Sequence, residues 1–136
     1  MELQNTVVSN DIANEYKNAK IMPQSCPPQE AVCADVSPVY RLIDGDIPVA
    51  RDFLSHKELY PQKRYPKTQQ CKATALSFFN SVEAAMDAKN SSKGLRSKKI
   101  SEGKITKECG THELNNSTGH ISLWQFKDVD IIKEFS

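Results

Sequence analysis

Two stretches carry the strongest apolar patterning. "CKATALSFF", residues 71–79, is almost continuously apolar and is bounded by polar chain on both sides. That pattern predicts a buried strand, with 73–79 as its core. "GHISLWQF", residues 119–126, places His120, Ser122, Trp124 and Phe126 on one side and Ile121, Leu123 and Gln125 on the other. Both sides are partly apolar, so a central strand is expected. "VYRLI" predicts an earlier strand that ends at the Asp44-Gly45 turn.

Helical spacing occurs between these strands. "NSVEAAMDAKN" predicts a helix capped by Asn80, with Glu83 in the capping-box position and Val82, Ala85, Met86 and Lys89 on one face. "PVARDFLSHKEL" predicts a helix that starts at Pro48 and buries Val49, Phe53 and Leu54. "SNDIANEYKNAK" predicts a short helix with the stripe Ile12, Tyr16, Ala19. "KKISEGKITKEC" predicts two strands about a turn at Glu102-Gly103, and "DVDIIKEF" a final strand or short helix. The "NNST" of "CGTHELNNSTGHISLW" predicts a hairpin tip at Asn115–Thr118.

Helices and strands do not alternate regularly enough for a doubly wound sheet. The expected class is α+β: a mixed or mostly antiparallel sheet with two to three short helices packed on it. The prolines of "MPQSCPPQ" divide the chain into an N-terminal arm and Pro-rich linker, 1–30, and an α+β body, 31–136. "YPQKRYPKTQQ", residues 60–70, is expected to be an exposed extended loop, because the residue before each proline avoids helix.

Composition narrows the function classes. A net charge of +1 supplies no global field toward nucleic acid or membrane. The charge is locally uneven, and in the basic stretch 89–107 Lys93, Arg96, Lys98 and Lys99 form a candidate weak contact with nucleic acid. "MELQNTVVSNDIANEY" has neither a basic leader region nor a long apolar run. With no apolar run of membrane-spanning length, a cytoplasmic protein with no membrane contact is expected. The four cysteines, at 26, 33, 71 and 109, form no CxxC pair and are expected to be free thiols in a reducing compartment.

Three constellations could carry chemistry. Cys109, His112 and His120 have ligand-type side chains, but a structural zinc site needs two paired ligand motifs and only one is present. A hairpin with no metal is the expectation. Cys71 or Cys109 with His56 or His120 would make a thiol–imidazole pair, without any local signature for one. The third constellation is "VYR" at 39–41, at the end of an early strand, with "LSFFNSVEAAM" at 76–86, a strand running into a helix.

These two segments, over about half of the chain, resemble ADP-ribosyltransferase-type folds. In that family an Arg or His after an aromatic residue on a first strand, a Ser on a second strand followed by a helix, and a later Glu line the nicotinamide cleft. The resemblance implies that Arg41 holds the cofactor's phosphate or ribose and that Ser77 orients the ribose. Glu108 and Glu113 follow in chain order, but neither stands in a clear final motif.

The expected site is therefore a ligand-binding cleft lined by Arg41, Ser77, His120 and Trp124. Arginine supplies a fork for phosphate, histidine a switchable donor and tryptophan a stacking surface. The expected function is a binding or accessory protein for a nucleotide, a nucleic-acid phosphate or a protein partner, with no cofactor of its own. The alternative is an ADP-ribosyltransferase-like enzyme acting on NAD. Self-association is the remaining partner class.

Overall fold

The computed structural model describes residues 16–136. They build an α+β fold around a five-stranded antiparallel sheet of order β3-β1-β2-β5-β4. The strands are β1 (Val36–Ile43), β2 (Leu76–Phe79), β3 (Lys99–Ile105), β4 (Gly110–Asn115) and β5 (His120–Gln125). Three α-helices accompany them: α1 (His56–Leu59), α2 (Gln70–Ala73) and α3 (Val82–Ser91). The helix expected from "SNDIANEYKNAK" falls mostly outside the described residues; its described part, 16–20, is a bridge and a turn.

Several elements are shifted from expectation for local reasons. "PVARDFLSHKEL" is not one helix. Asp52 accepts a hydrogen bond from the Val49 amide and closes a 3-10 turn at Ala50–Phe53. Ser55 and Glu58 then form a reciprocal capping box that starts α1 afresh, so Val49 is exposed and Phe53 is buried. In "CKATALSFF" the first residues form α2, closed by the Thr74 hydroxyl donating to the Cys71 carbonyl at 2.6 Å, and the strand begins at Leu76. The cap of α3 is Ser81, whose hydroxyl accepts from the Ala84 amide, one residue after the expected Asn80. The helix consequently buries Ala85, while Val82 and Met86 are exposed.

"KKISEGKI" is one strand rather than two. Gly103 does not turn the chain: it bridges to Phe135, and a Cβ there would run into the Phe135 ring. The expected hairpin forms between β4 and β5, its turn closed by the Thr118 and Gly119 amides donating to the Asn115 carbonyl. Gly119 has φ 75° in that turn, and its carbonyl accepts from the Asn80 amide, tying the hairpin to the start of α3.

Side chains alternate across the sheet and separate two unlike faces. One face buries Val39, Leu76, Phe78, Ile121 and Leu123 under Phe53, Ile131 and Phe135 as one continuous core. The other carries two separate clusters. Leu42 and Phe79 pack against Ala85 of α3, while Trp124 and Ala75 pack against Tyr16 of the N-terminal segment.

Residues 16–30 are fastened to the body. The Asn18 amide donates to Glu58 and to the Thr74 carbonyl, both at 3.1 Å, and Lys17 pairs with Glu58 at 3.2 Å. Cys26 and Cys71 form a disulfide, which corrects the expectation of four free thiols; Cys33 and Cys109 are free. The helical turn of α2 is what brings Cys71 toward the proline-rich segment, instead of burying it in a strand. No helix among the described residues is long and apolar enough to cross a membrane.

Candidate functional site

The two clusters on the divided face leave part of the sheet uncovered, and a cleft of ≈ 340 Å³ opens there. Its floor holds Ala75, Ser77 and Phe79 of the β2 region, Leu42 and Arg41 of β1, and His120 of β5. Leu54, Ser55, His56 and Leu59 form one wall, and Ala88, Leu95 and Lys98 another. The volume is within the range of small-molecule sites, and the mix of apolar walls with a few convergent polar groups is typical of them.

The geometry at Arg41 follows from a gap in the sheet. β1 and β2 pair at Tyr40 and Phe79 alone, so the next antiparallel partners, Leu42 and Ser77, are unpaired. The Arg41 side chain fills the opening. Its Nη1 donates to the Ser77 carbonyl at 2.6 Å, and Nε and Nη2 donate to the Asp52 carbonyl at 3.0 and 2.6 Å. The guanidinium also lies over the rings of Phe53 and Phe78, at 5.6 and 5.4 Å. Burial lowers its pKa to about 10, partly opposed by the Asp52 charge, so it remains a cation at neutral pH.

A guanidinium has five N–H donors. Among the described residues three are spent on the backbone of two elements, which leaves two over. Arg41 is thus both a clamp between β2 and the Ala50–Phe53 turn and an immobilised cation in the cleft wall.

The second polar element is a pair. His120 Nε2 lies 2.9 Å from the Ser77 hydroxyl. Residue Phe79 faces His120 in the β2–β5 register, and the two rings meet edge-on at 5.5 Å between centroids. Burial lowers the His120 pKa, with Lys72 and Arg41 adding to the effect, so the neutral imidazole is favoured. A neutral imidazole can accept the serine proton through one nitrogen while donating with the other. His56, at the wall, is also shifted down by burial and then by the charges of Lys63, Arg41 and Lys98.

Arg41, Ser77 and His120 therefore line one cleft. Trp124 does not join them. It shares the face of His120, yet its ring is buried between Tyr16 and Ala75, and its indole N–H donates to the Cys71 carbonyl at 3.1 Å. The N-terminal segment covers it. Lys98 and Lys99, expected in a basic patch, are ion-paired with Asp44 and Asp46 at 2.7 and 3.0 Å, and Lys98 also lines the cleft.

The ligand-like histidines of the hairpin separate. His112 faces Leu123 in the β4–β5 register and looks into the continuous core side, whereas His120 alternates onto the cleft side. The Cys109 thiol is buried beside Thr106. Among the described residues no group of three metal-ligating side chains assembles.

His56 and Lys98, expected in a thiol–imidazole pair and in a basic patch, were not expected at this cleft, because they reach it from elements distant in the chain. The "SHKE" capping box was the available signal for the wall at His56. Glu113 also sits on the cleft side. It stands opposite Ser122, which stands opposite Ser77, and it shares with His120 a small groove of ≈ 170 Å³ beside the cleft. No known protein family matches the chain, and no curated protein or solved structure matches it either.

Proposed function

We propose that this protein is a binding protein whose cleft takes a nucleotide-class ligand. The convergence of Ser77, His120 and the immobilised Arg41 in one apolar-walled cleft is the observation that carries this reading. The two remaining N–H groups of Arg41 suit phosphate or ribose oxygens. Ser77 and His120 supply a donor and an acceptor for ribose hydroxyls or a base edge. Leu42, Leu54, Leu59 and Phe79 supply an apolar bed for a planar ring.

The test is thermal and calorimetric titration of the full chain with AMP, ADP-ribose and NAD. A binding protein gains stability with at least one of them. Ser77→Ala and His120→Gln reduce that gain without unfolding the protein. The absence of any nucleotide-dependent shift contradicts the reading and leaves a protein partner or self-association as the function to be sought.

A transferase acting on NAD is the second reading. The position of Glu113, in the cross-strand row with Ser122 and Ser77, favours it by offering a carboxylate on the cleft side. Release of nicotinamide from NAD, abolished in Glu113→Gln, would establish the enzyme. Stable binding of NAD without turnover would leave the binding protein.

The proposed location changes with the cysteines. A cytoplasmic site was the expectation, but disulfides persist mainly in oxidising compartments, and the Cys26–Cys71 pair supports one.

A further inference from the structure

A second cleft, of ≈ 530 Å³, lies beyond α1: His56 and Leu59 line the first cleft, whereas Lys57 lines this one with the loop at 62–65. Its basic side chains are Lys57, Lys63 and Arg64, and no aspartate or glutamate lines it. Among the described residues none of these three cations has a salt-bridge partner.

The cations are gathered rather than dispersed. Lys57 Nζ and Lys63 Nζ lie 5.9 and 5.3 Å from the centroid of one ring, that of Tyr65. Lys57 Nζ also donates to the Pro61 and Lys63 carbonyls at 3.0 and 3.4 Å, which folds the loop over it. Gln70 Nε2 donates to the Tyr65 carbonyl at 3.3 Å, and the disulfide at Cys71 anchors the end of the loop. Two ammonium groups on one ring repel each other, and the ring's negative face offsets this only in part. An anion in the cleft would offset the repulsion among its cations.

Tyr65 contributes to the cleft through its ring. Its hydroxyl oxygen is shielded from solvent, yet it has no hydrogen-bond partner among the described residues. An atom that a water molecule cannot reach is out of reach of a ligand in the open cleft as well, so the hydroxyl is not part of the site.

We infer that this cleft binds a phosphate-bearing anion, held by Lys57, Lys63 and Arg64. Phosphate fits better than a single carboxylate. It offers several oxygens to two point charges and to the planar fork of Arg64 at once, and the cleft has room for a diphosphate.

The experiment is calorimetric titration of the full chain with pyrophosphate at constant ionic strength. Binding at one site is expected. Lys63→Gln combined with Arg64→Gln weakens it by about tenfold or more, through loss of charge-assisted hydrogen bonds. Tyr65→Phe, which keeps the ring beneath the two ammonium groups, leaves it unchanged. His120→Gln, in the first cleft, leaves it unchanged.

Pyrophosphate that does not bind, or that binds the Lys63/Arg64 double variant as tightly as the wild type, overturns the assignment. So does equal stabilisation by chloride at matched ionic strength. A short single-stranded RNA displaced by pyrophosphate supports the site and identifies a nucleic-acid backbone as the phosphate source. Pyrophosphate binding without RNA binding supports a small phosphate ester instead.

Discussion

The two faces of the sheet are built from the same strands and behave differently. On one, Val39, Phe78, Ile121, Leu123 and Phe135 close into a continuous core. On the other, α3 covers Leu42 and Phe79, the N-terminal segment covers Trp124, and the polar pair Ser77–His120 lies in the cleft between them. The difference arises one residue at a time along β2. Leu76 and Phe78 face the continuous side, while Ser77 and Phe79 face the divided one. One face supplies stability so that the other can leave polar groups without cover, and substitutions on the two faces should therefore separate stability from binding.

The largest effects are expected at the rings that close each side. Phe78→Ala should cost about 3–5 kcal/mol in chemical denaturation, as should Trp124→Ala, because both rings are essentially solvent-free. A loss below about 1 kcal/mol at Trp124 would show that the N-terminal segment does not hold the divided face, since so small a change is what exposed positions give.

The disulfide comes next. Cys26 and Cys71 are separated by 45 residues, and closing such a loop restricts the unfolded chain. Reduction, or Cys26→Ser with Cys71→Ser, should cost about 2–4 kcal/mol. Val39 and Phe53 of the continuous core fall inside that loop, but the bond itself packs in the Trp124 cluster and ties the N-terminal segment to it. Hydrogen exchange should therefore rise first at residues 16–30 and around Trp124, and uniform loss of protection would contradict the division of the two faces.

Acid should weaken both faces, each through its own histidine. His112 is buried on the core side, its Nδ1 without a partner among the described residues, and its pKa is lowered by burial; His120 is lowered by burial and by Lys72 and Arg41. The unfolded chain takes up these protons near the ordinary value of 6.5, before the folded protein does. Stability is thus complete above that pH and falls as the solution is acidified toward the lowered folded values. His112→Gln should flatten the pH dependence of the melting temperature, and an unchanged slope would rule out His112 as its source.

How much of this was legible in the sequence depends on how local the cause is. The β5 alternation and the Asn115–Thr118 turn could be read directly, because strand period and turn chemistry act over a few residues. The break between the Ala50–Phe53 turn and α1 could also have been read, since Ser55 and Glu58 have capping-box spacing; the apolar stripe Val49, Phe53, Leu54 outweighed it. Gly103 misled for the opposite reason. Its small size serves a contact with Phe135, thirty-two residues away, and not a turn.

The candidate site divides in the same way. Ser77 and His120 could be placed on one face from strand period alone. The role of Arg41 could not, because it depends on β1 and β2 separating after Tyr40 and Phe79. Trp124 was placed on the correct face and in the wrong surroundings, because the segment that buries it comes from residues 16–31.

The smallest expected effect on stability belongs to the Ser77–His120 pair, about 0.5–1.5 kcal/mol for a partly exposed neutral hydrogen bond. Its effect on binding should be the largest of any substitution that leaves the fold intact. The most direct test is calorimetric titration with ADP-ribose of the chain with Ser77 and His120 intact, with His120→Gln and with Ser77→Ala. With the second cleft disabled by Lys63→Gln and Arg64→Gln in every sample, the expected result is one site, weakened about tenfold or more by His120→Gln or Ser77→Ala at nearly unchanged melting temperature. Unchanged affinity in both variants, or no binding of ADP-ribose where Ser77 and His120 are intact, would contradict the assignment of the cleft.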